Sequence, residues 1–133
     1  MIVYADMVAD LFHRGHLEFI RKIRRMYPDC RLVIGVHSDE VVSRYKRIPI
    51  FSHNDRVEIV KSIKGVDAVM PDAPLVITKE FIDSNNIDVV VHGSDMEGFE
   101  ASYRVPTQMG IMRIVSYYRG ISTSEVIDKC RQE

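Results

Sequence analysis

The chain has few cysteines, and its sequence leads us to expect neither a signal segment nor a membrane anchor. Its 133 residues include two cysteines, and Cys30 and Cys130 lie too far apart in sequence to form a zinc-binding pair. Free thiols and a reducing, cytoplasmic compartment are therefore expected. The first residues do not resemble a signal segment, because Asp6 and Asp10 interrupt the apolar run. No apolar run approaches the length of a membrane span, so a membrane protein is not expected.

An excess of charge of one sign is also missing. Lys and Arg number 18 against 19 Asp and Glu, which gives a formal net charge of −1. Because a broad nucleic-acid surface needs a basic face, nucleic acid is not an expected partner. Hydrophobic residues make up 46% of the chain and charged residues 28%, which are ordinary values for a globular protein. This length predicts a single domain over residues 1–133.

Apolar runs alternate with helix signals along the chain. The runs predict strands at residues 1–4, 32–36, 68–70, 87–91 and 111–115. Helical spacing and capping residues predict helices that start near residues 16, 38, 52, 78 and 122. Residues 97–108 show the least periodicity and are predicted to be mobile. Strands that alternate with helices imply right-handed crossovers and a five-stranded parallel sheet with helices on both faces, an α/β fold.

Three short motifs follow predicted strands, and we expect them to meet at one edge of the sheet. They occupy residues 10–16, 92–95 and 120–124. In a parallel sheet, ligands bind outside the carboxyl ends of the strands, at a switch in strand order. The third motif is a hydroxyl-rich helix start, which suits either anion binding or simple helix capping. Gly-x-Gly-x-x-Gly and the P-loop signature are absent, so the usual dinucleotide and P-loop sites are not predicted.

The first motif has the chemistry of a phosphate site. Gly15 allows the backbone to approach a phosphate, and the helix that follows directs free N–H groups and a positive dipole end toward it. His13 and His16 flank this glycine and can each donate a hydrogen bond to a polyphosphate. Lys46 and Arg56 could close over the phosphates. Taken singly, each of these residues also fits a structural or surface role, and a metal site would need a further ligand from elsewhere in the chain.

Together the motifs resemble the cytidylyltransferases of small phosphorylated alcohols, namely the ethanolamine-phosphate, choline-phosphate and glycerol-3-phosphate enzymes. The resemblance extends from Val3 to about Ile127, and the middle section is most similar to the ethanolamine-phosphate members. The matching motifs lie at residues 3–6, 10–16, 35–40, 45–46, 55–56, 66–69, 73–74, 91–95 and 120–124. The resemblance implies a Rossmann-like nucleotidyltransferase fold.

The resemblance also implies a reaction and a set of site residues. CMP would pass from CTP, which enters with Mg²⁺, to the phosphate of a small acceptor, and pyrophosphate would be released. His13, His16 and Lys46 would act on the reacting phosphates. The residues implied to bind CTP are Asp10, Gly15, Arg56, His92, Asp95, Gly120, Ile121, Ser122 and Thr123. No protein side chain is expected to ligate a metal. A homodimer formed through residues 64–70 is implied as well.

Three positions depart from the family pattern on the acceptor side. Met7 stands where the family has a glycine, and Tyr117 where it has an arginine for which Arg119 could substitute. Leu75 stands where the choline-phosphate members have an aromatic residue. Because an aromatic cage best holds a quaternary ammonium, choline phosphate is disfavoured. These four residues are therefore the candidates for binding the acceptor.

The departures leave more than one function open. Ethanolamine phosphate is the expected acceptor, and a small phosphonate is the alternative. A nucleotide-binding regulatory module that has lost catalysis is a candidate from another class, because the glycine and the arginine are missing. The intact His13, His16 and Lys46 argue against that module. The motifs alone do not distinguish CTP from ATP.

Overall fold

The computed structural model describes residues 1–96, 98–116 and 118–132. Within them, five parallel strands form one sheet, as predicted. The strands are β1 (Ile2–Met7), β2 (Arg31–Val36), β3 (Ala68–Met70), β4 (Val89–Gly93) and β5 (Met112–Val115). The α-helices are α1 (Arg14–Met26), α2 (Asp39–Ser43), α3 (His53–Lys61), α4 (Lys79–Ser84), α5 (Arg104–Gln108) and α6 (Thr123–Arg131), and a 3-10 helix (Glu100–Tyr103) precedes α5.

The strand order determines where a ligand can bind. β1 lies in the middle of the sheet, with β2 and β3 on one side and β4 and β5 on the other. The order therefore reverses between β1 and β4, where Val3 pairs with Val89 and Tyr4 with Val90. In parallel α/β proteins, such a switch point opens a crevice at the carboxyl ends of the two strands, and ligands bind in it.

Helices cover both faces of the sheet. Alternate residues of β1 point to opposite faces, so Val3 and Ala5 belong to one apolar cluster and Tyr4 to another. The first cluster includes residues of α1 and α3, and the second includes Ile82 of α4. Burial on both faces explains why these strands read as continuous apolar runs. Among the described residues, no helix combines the length and the apolar character that a membrane crossing requires.

β1 continues beyond its predicted end at residue 4, and Asp6 lies inside it. This carboxylate is buried, with a relative exposure of 2%. Its burial is tolerated because the Tyr103 hydroxyl donates a hydrogen bond to Asp6 Oδ1 over 2.6 Å. The strand therefore carries a buried carboxyl group to the bottom of the crevice.

The prediction that residues 97–108 are mobile is wrong for the described residues of that segment. They form the 3-10 helix and α5, and Ser102, Tyr103 and Pro106 are buried. The backbone N–H of Ile77 donates to the carbonyl of Ser102 over 3.0 Å, which joins the segment to the rest of the fold. Two helical turns of four and five residues are too short to establish a periodic pattern in the sequence.

Candidate functional site

A pocket of about 410 Å³ opens at the carboxyl ends of β1 and β4, the switch point of the sheet. All three predicted motifs contribute to it. The predicted site residues that line it are Met7, Asp10, His13, Gly15, His16, Lys46, Leu75, His92, Asp95, Ser122 and Thr123. A volume of this size is in the range of pockets that hold small ligands and cofactors.

His13 and His16 form a hydrogen-bonded pair at the start of α1. His13 is the N-cap, and its Nδ1 accepts a hydrogen bond from the Gly15 backbone N–H over 2.9 Å. The His13 backbone N–H in turn donates to Nδ1 of His16 over 3.1 Å. This is a capping box in which two imidazoles replace the usual hydroxyl and carboxylate. Because a backbone N–H can only donate, both Nδ1 atoms are acceptors, and each neutral ring carries its hydrogen on Nε2.

Both imidazoles are neutral at neutral pH because the pocket withdraws them from water. Burial, aided by His13 and Lys46 and opposed by Asp10, lowers the pKa of His16 to about 3. Burial also lowers the pKa of His13, against the effect of Glu125. A neutral ring with hydrogen on Nε2 can donate a hydrogen bond to a phosphate oxygen. The pair therefore provides two fixed donors suited to stabilising negative charge.

Gly15 is required by the close approach of α1 to the segment before α6. A Cβ at this position would lie 2.6 Å from Cε1 of His13 and 3.2 Å from the Ile121 carbonyl oxygen. The side chain of Thr123 joins the same two parts of the chain, because its Oγ1 donates to the Asp10 carbonyl over 3.0 Å. A larger residue at position 15 would displace the His13 ring from its capping position.

The motif at residues 120–124 is divided between the pocket and its surroundings. Ser122 lines the pocket and caps α6 by accepting a hydrogen bond from the Glu125 backbone N–H over 3.2 Å. Arg119 and Ile121 line an adjacent depression that Ser122 also borders. Gly120 packs against the ring of Tyr118, as a Cβ there would overlap it. Of the four residues of this motif that were predicted to bind CTP, Ser122 and Thr123 line the pocket.

The residues predicted to bind the acceptor substrate do not all line the pocket. Met7 and Leu75 line the pocket, whereas Arg119 is exposed and lines the adjacent depression. Tyr117 lies outside the described residues. The structure therefore brings together two of the four residues predicted on the acceptor side.

Asp10 organises the loop that follows α2. Both of its carboxylate oxygens accept hydrogen bonds from backbone N–H groups, Oδ2 from Ile50 over 2.8 Å and Oδ1 from Phe51 over 2.9 Å. Arg47 lies 3.7 Å from Oδ2 and balances the charge. The carboxylate is 3% exposed, so its main role is to shape this loop beside the pocket.

Lys46 lies on the same loop and lines the pocket. The pocket walls partly desolvate its ammonium group, which lowers the pKa of Lys46, and Arg47 adds to this effect while Asp95 and Asp10 oppose it. A bound phosphate would also oppose this shift, because an adjacent anion favours the charged amine. Lys46 is therefore suited to neutralise a phosphate that enters the pocket.

Arg56, which the resemblance implies to bind CTP, is not among the residues that line the pocket. The side chain is fully buried, with a relative exposure of 0%, and its Nη2 forms an ion pair with Asp39 Oδ1 over 2.6 Å. Its remaining bonds go to the backbone carbonyls of Val8, His37 and Phe51. Four of its five N–H groups are therefore bonded to the protein, and Arg56 supports the loops around the pocket.

A polar network lines the bottom of the pocket, and of its members only His92 was identified from the sequence. The Tyr103 hydroxyl donates to Asp6 Oδ1 and also lies 3.1 Å from Nδ1 of His92. His37 donates from Nδ1 to the Ala73 carbonyl over 3.1 Å, and its Nε2 lies 3.3 Å from Asp6 Oδ2. That distance permits an ion pair, but the angles give Oδ2 no hydrogen bond among the described residues. The acidic residue in an apolar strand was the one sequence signal of this network.

Comparison with known sequences assigns the chain to a group of proteins. A sequence model described as Cytidylyltransferase-like matches residues 5–129. The chain is 38% identical to the ethanolamine-phosphate cytidylyltransferase of Dictyostelium discoideum, over 96% of this chain and 37% of that protein. It is 35% identical to choline-phosphate cytidylyltransferase 2 of Arabidopsis thaliana, over 94% of this chain and 43% of that protein. The chain thus spans less than half the length of these curated relatives.

Comparison with solved structures supports the fold. The lipopolysaccharide core biosynthesis protein from Thermoplasma volcanium GSS1 superimposes with a TM-score of 0.69 and 24% sequence identity. The match covers 89% of this chain and 96% of that chain. At this level of identity, the likeness is one of architecture.

Proposed function

This chain belongs to the cytidylyltransferase-like family, and from that premise we propose that it transfers CMP from CTP to a small phosphorylated acceptor. The observation that carries the proposal is the pair of neutral histidines that cap α1 inside the pocket. Their Nε2–H groups supply fixed donors where phosphate charge must be stabilised. Lys46 adds a cation at the same pocket.

The reaction needs alignment and charge stabilisation more than proton transfer. The second pKa of a phosphate monoester is about 6, so the attacking oxygen of the acceptor is largely ionised at neutral pH. That oxygen forms a bond to the α-phosphorus of CTP as the bond to the bridging oxygen breaks and pyrophosphate leaves. His13 and His16 donate to the phosphoryl oxygens, and Lys46 neutralises the departing pyrophosphate. A neutral histidine that donates from Nε2 to a phosphate oxygen suits this work, because no general base is required.

Mg²⁺ is proposed to enter with CTP rather than to occupy a site formed by the protein. Among the described residues, no group of three or more His, Cys, Asp or Glu side chains is placed to hold a metal ion. Both Asp10 oxygens are already bonded to backbone N–H groups, whereas the exposed Asp95 lies at the pocket. Mg²⁺ commonly binds through substrate phosphates, waters and one or two carboxylates, and it would neutralise phosphate charge.

Ethanolamine phosphate is the acceptor that the pocket supports best. Its ammonium group carries N–H donors and a positive charge, and the pocket includes Asp6, whose Oδ2 accepts no hydrogen bond from the described residues. Leu75 supplies an aliphatic wall where a trimethylammonium group would gain from an aromatic ring. Both features favour an amine that donates hydrogen bonds over a quaternary ammonium.

We further propose that the protein forms a homodimer and lies in the cytoplasm. β3, the strand within residues 64–70, lies at one edge of the sheet. An edge strand offers unpaired N–H and C=O groups, which supports a homodimer that forms through this region. The free thiols of Cys30 and Cys130 fit a reducing compartment, which supports a cytoplasmic location. Light scattering of the purified chain tests the dimer.

Pyrophosphate release from CTP with a panel of acceptors tests the proposed reaction. The panel contains ethanolamine phosphate, choline phosphate, glycerol 3-phosphate and 2-aminoethylphosphonate, and ATP replaces CTP in a parallel series. We expect turnover with CTP and ethanolamine phosphate. Turnover with the phosphonate alone would replace the acceptor in this proposal. Tight CTP binding without turnover on any acceptor would indicate a regulatory module instead.

The role of the histidine pair is tested in the same assay. His16→Ala removes one donor and should lower kcat by about 100- to 1,000-fold. His53→Gln is the matched control, because His53 lies at the start of α3 and does not line the pocket. A loss of less than about tenfold in His16→Ala, or an equal loss in both variants, would contradict the donor role.

A further inference from the structure

The Tyr103 hydroxyl lies between two groups at the bottom of the pocket. It is 2.6 Å from Asp6 Oδ1 and 3.1 Å from Nδ1 of His92, and the His92 and Tyr103 ring centroids are 4.6 Å apart. A tyrosine hydroxyl has one hydrogen to donate, whereas a carboxylate has only acceptor oxygens. The shorter, charge-assisted bond to Asp6 therefore takes the hydroxyl hydrogen.

Because the Tyr103 hydroxyl donates its hydrogen to Asp6, it can act only as an acceptor toward His92. The hydroxyl oxygen presents a lone pair to Nδ1, so the ring hydrogen of a neutral His92 belongs on Nδ1. Burial lowers the pKa of His92 and favours the neutral ring, and His37 acts in the same direction. The charge of Asp6, a hydrogen bond with the Asp95 backbone and the charge of Asp95 oppose this shift. With its hydrogen on Nδ1, the neutral ring has an unprotonated Nε2.

We propose that Tyr103 is a positioning residue that holds His92 in the Nδ1–H form, so that Nε2 accepts a hydrogen bond from an N–H group of a substrate. His92 lines the pocket and its side chain is 22% exposed, so the ring edge away from Tyr103 can meet a ligand. The proposal rests on the proposed function for the identity of that substrate. The tautomer itself does not depend on it.

The consequence is a pocket with two chemically opposite regions. His13 and His16 present Nε2–H donors, because backbone N–H groups occupy their Nδ1 atoms. His92 presents an Nε2 lone pair, because its hydrogen lies on Nδ1 and is donated to the Tyr103 hydroxyl oxygen. The first arrangement suits phosphate oxygens, and the second suits an N–H donor. That donor is either the ammonium of the acceptor or the exocyclic amine of cytosine, and a trimethylammonium group has none.

Nitrogen-15 NMR of histidine-labelled protein tests the tautomer without any substrate. The wild-type spectrum should show His92 with hydrogen on Nδ1, assigned by loss of its signals in His92→Phe. Tyr103→Phe should shift His92 toward the Nε2–H form. Tyr4→Phe is the matched control, because it removes another buried hydroxyl, one without a hydrogen-bond partner among the described residues, and should leave His92 unchanged. His92 with hydrogen on Nε2 in the wild type would overturn the proposal, even if Tyr103→Phe failed to fold.

Steady-state kinetics identify the donor that His92 recognises. His92→Phe leaves the Tyr103–Asp6 bond intact and removes the acceptor atom. If the ammonium is the donor, KM for ethanolamine phosphate should rise by about tenfold while KM for choline phosphate does not, as expected for the loss of one hydrogen bond. If the cytosine amine is the donor, the preference for CTP over UTP should fall instead. If His92→Phe changes neither KM for ethanolamine phosphate nor the preference for CTP over UTP, the proposal is overturned.

The two proposals can fail separately. A wild-type protein that shows the Nδ1–H tautomer but transfers CMP to no acceptor would refute the proposed reaction and leave the positioning role of Tyr103 intact. Active protein with the opposite tautomer would do the reverse.

Discussion

Lowering the pH should destabilise this protein through His16. The folded state holds this ring at a pKa of about 3, whereas a histidine in the unfolded chain has a pKa of about 6.5. Above the higher value neither state binds a proton, so the free energy of unfolding is unaffected by the ring. As the pH falls from about 6.5 toward about 3, the unfolded chain takes up a proton that the folded chain excludes, and stability is lost. At about 1.36 kcal/mol per pH unit, the loss reaches about 2 kcal/mol at about pH 5.

Urea denaturation of the wild type and of His16→Gln at about pH 7.5 and about pH 5 measures this effect. The Gln amide oxygen can accept the His13 backbone N–H as His16 does, so the capping box is retained while the titrating group is removed. Other ionisable groups are common to both proteins and largely cancel in the difference. The wild type should therefore lose about 2 kcal/mol more than the variant over this range.

An equal loss of stability in the two proteins would refute the reasoning. It would mean that the folded state accepts a proton on His16 as readily as the unfolded chain does. The ring would then be able to carry charge in the pocket, and its assignment as a neutral hydrogen-bond donor would be wrong.

Three further substitutions test other parts of the site. Gly15→Ala should displace the His13 ring and lower kcat by at least about tenfold, with a wild-type circular dichroism spectrum at the assay temperature as the check on folding. Arg56→Lys should lower the free energy of unfolding by about 3 kcal/mol in urea denaturation, because buried acceptors lose their donors. A raised KM for CTP without lost stability would instead restore Arg56 to the substrate site. Gly35→Ala should cost about 1–3 kcal/mol, because its Cβ overlaps the Tyr4 hydroxyl, and adding Tyr4→Phe should recover part of that loss in a double-mutant cycle.

Most of the fold could be predicted from local patterns. The five strands were located because residues buried on both faces read as apolar runs, and capping residues such as Ser52, Thr78 and Ser122 do begin helices. The end of β1 was predicted too early because Asp6 is stabilised by Tyr103, which lies 97 positions away. The segment around Tyr103 was not recognised as helical because its turns are too short for periodicity to be visible.

Part of the candidate site could likewise be predicted from local sequence, and part could not. The proximity of the three motifs followed from the rule that carboxyl ends of parallel strands share one edge. The role of Arg56 could not be predicted, because a buried arginine and a phosphate-binding one have the same local sequence. What differs is its contact with Val8, 48 positions away. The protonated nitrogens of the histidines were equally inaccessible, since each depends on the group that faces Nδ1.

The sequence by itself determined the alternation of strands and helices, the pair of histidines around Gly15 at the start of α1 and the family likeness, because these depend on residues near one another in the chain. Only the tertiary structure decided which charged groups face the pocket and which support it. Burial and hydrogen bonding between distant segments set the neutrality of His13 and His16, assigned Arg56 to the loops and placed Tyr103 between Asp6 and His92. Those contacts exist only after the chain has folded.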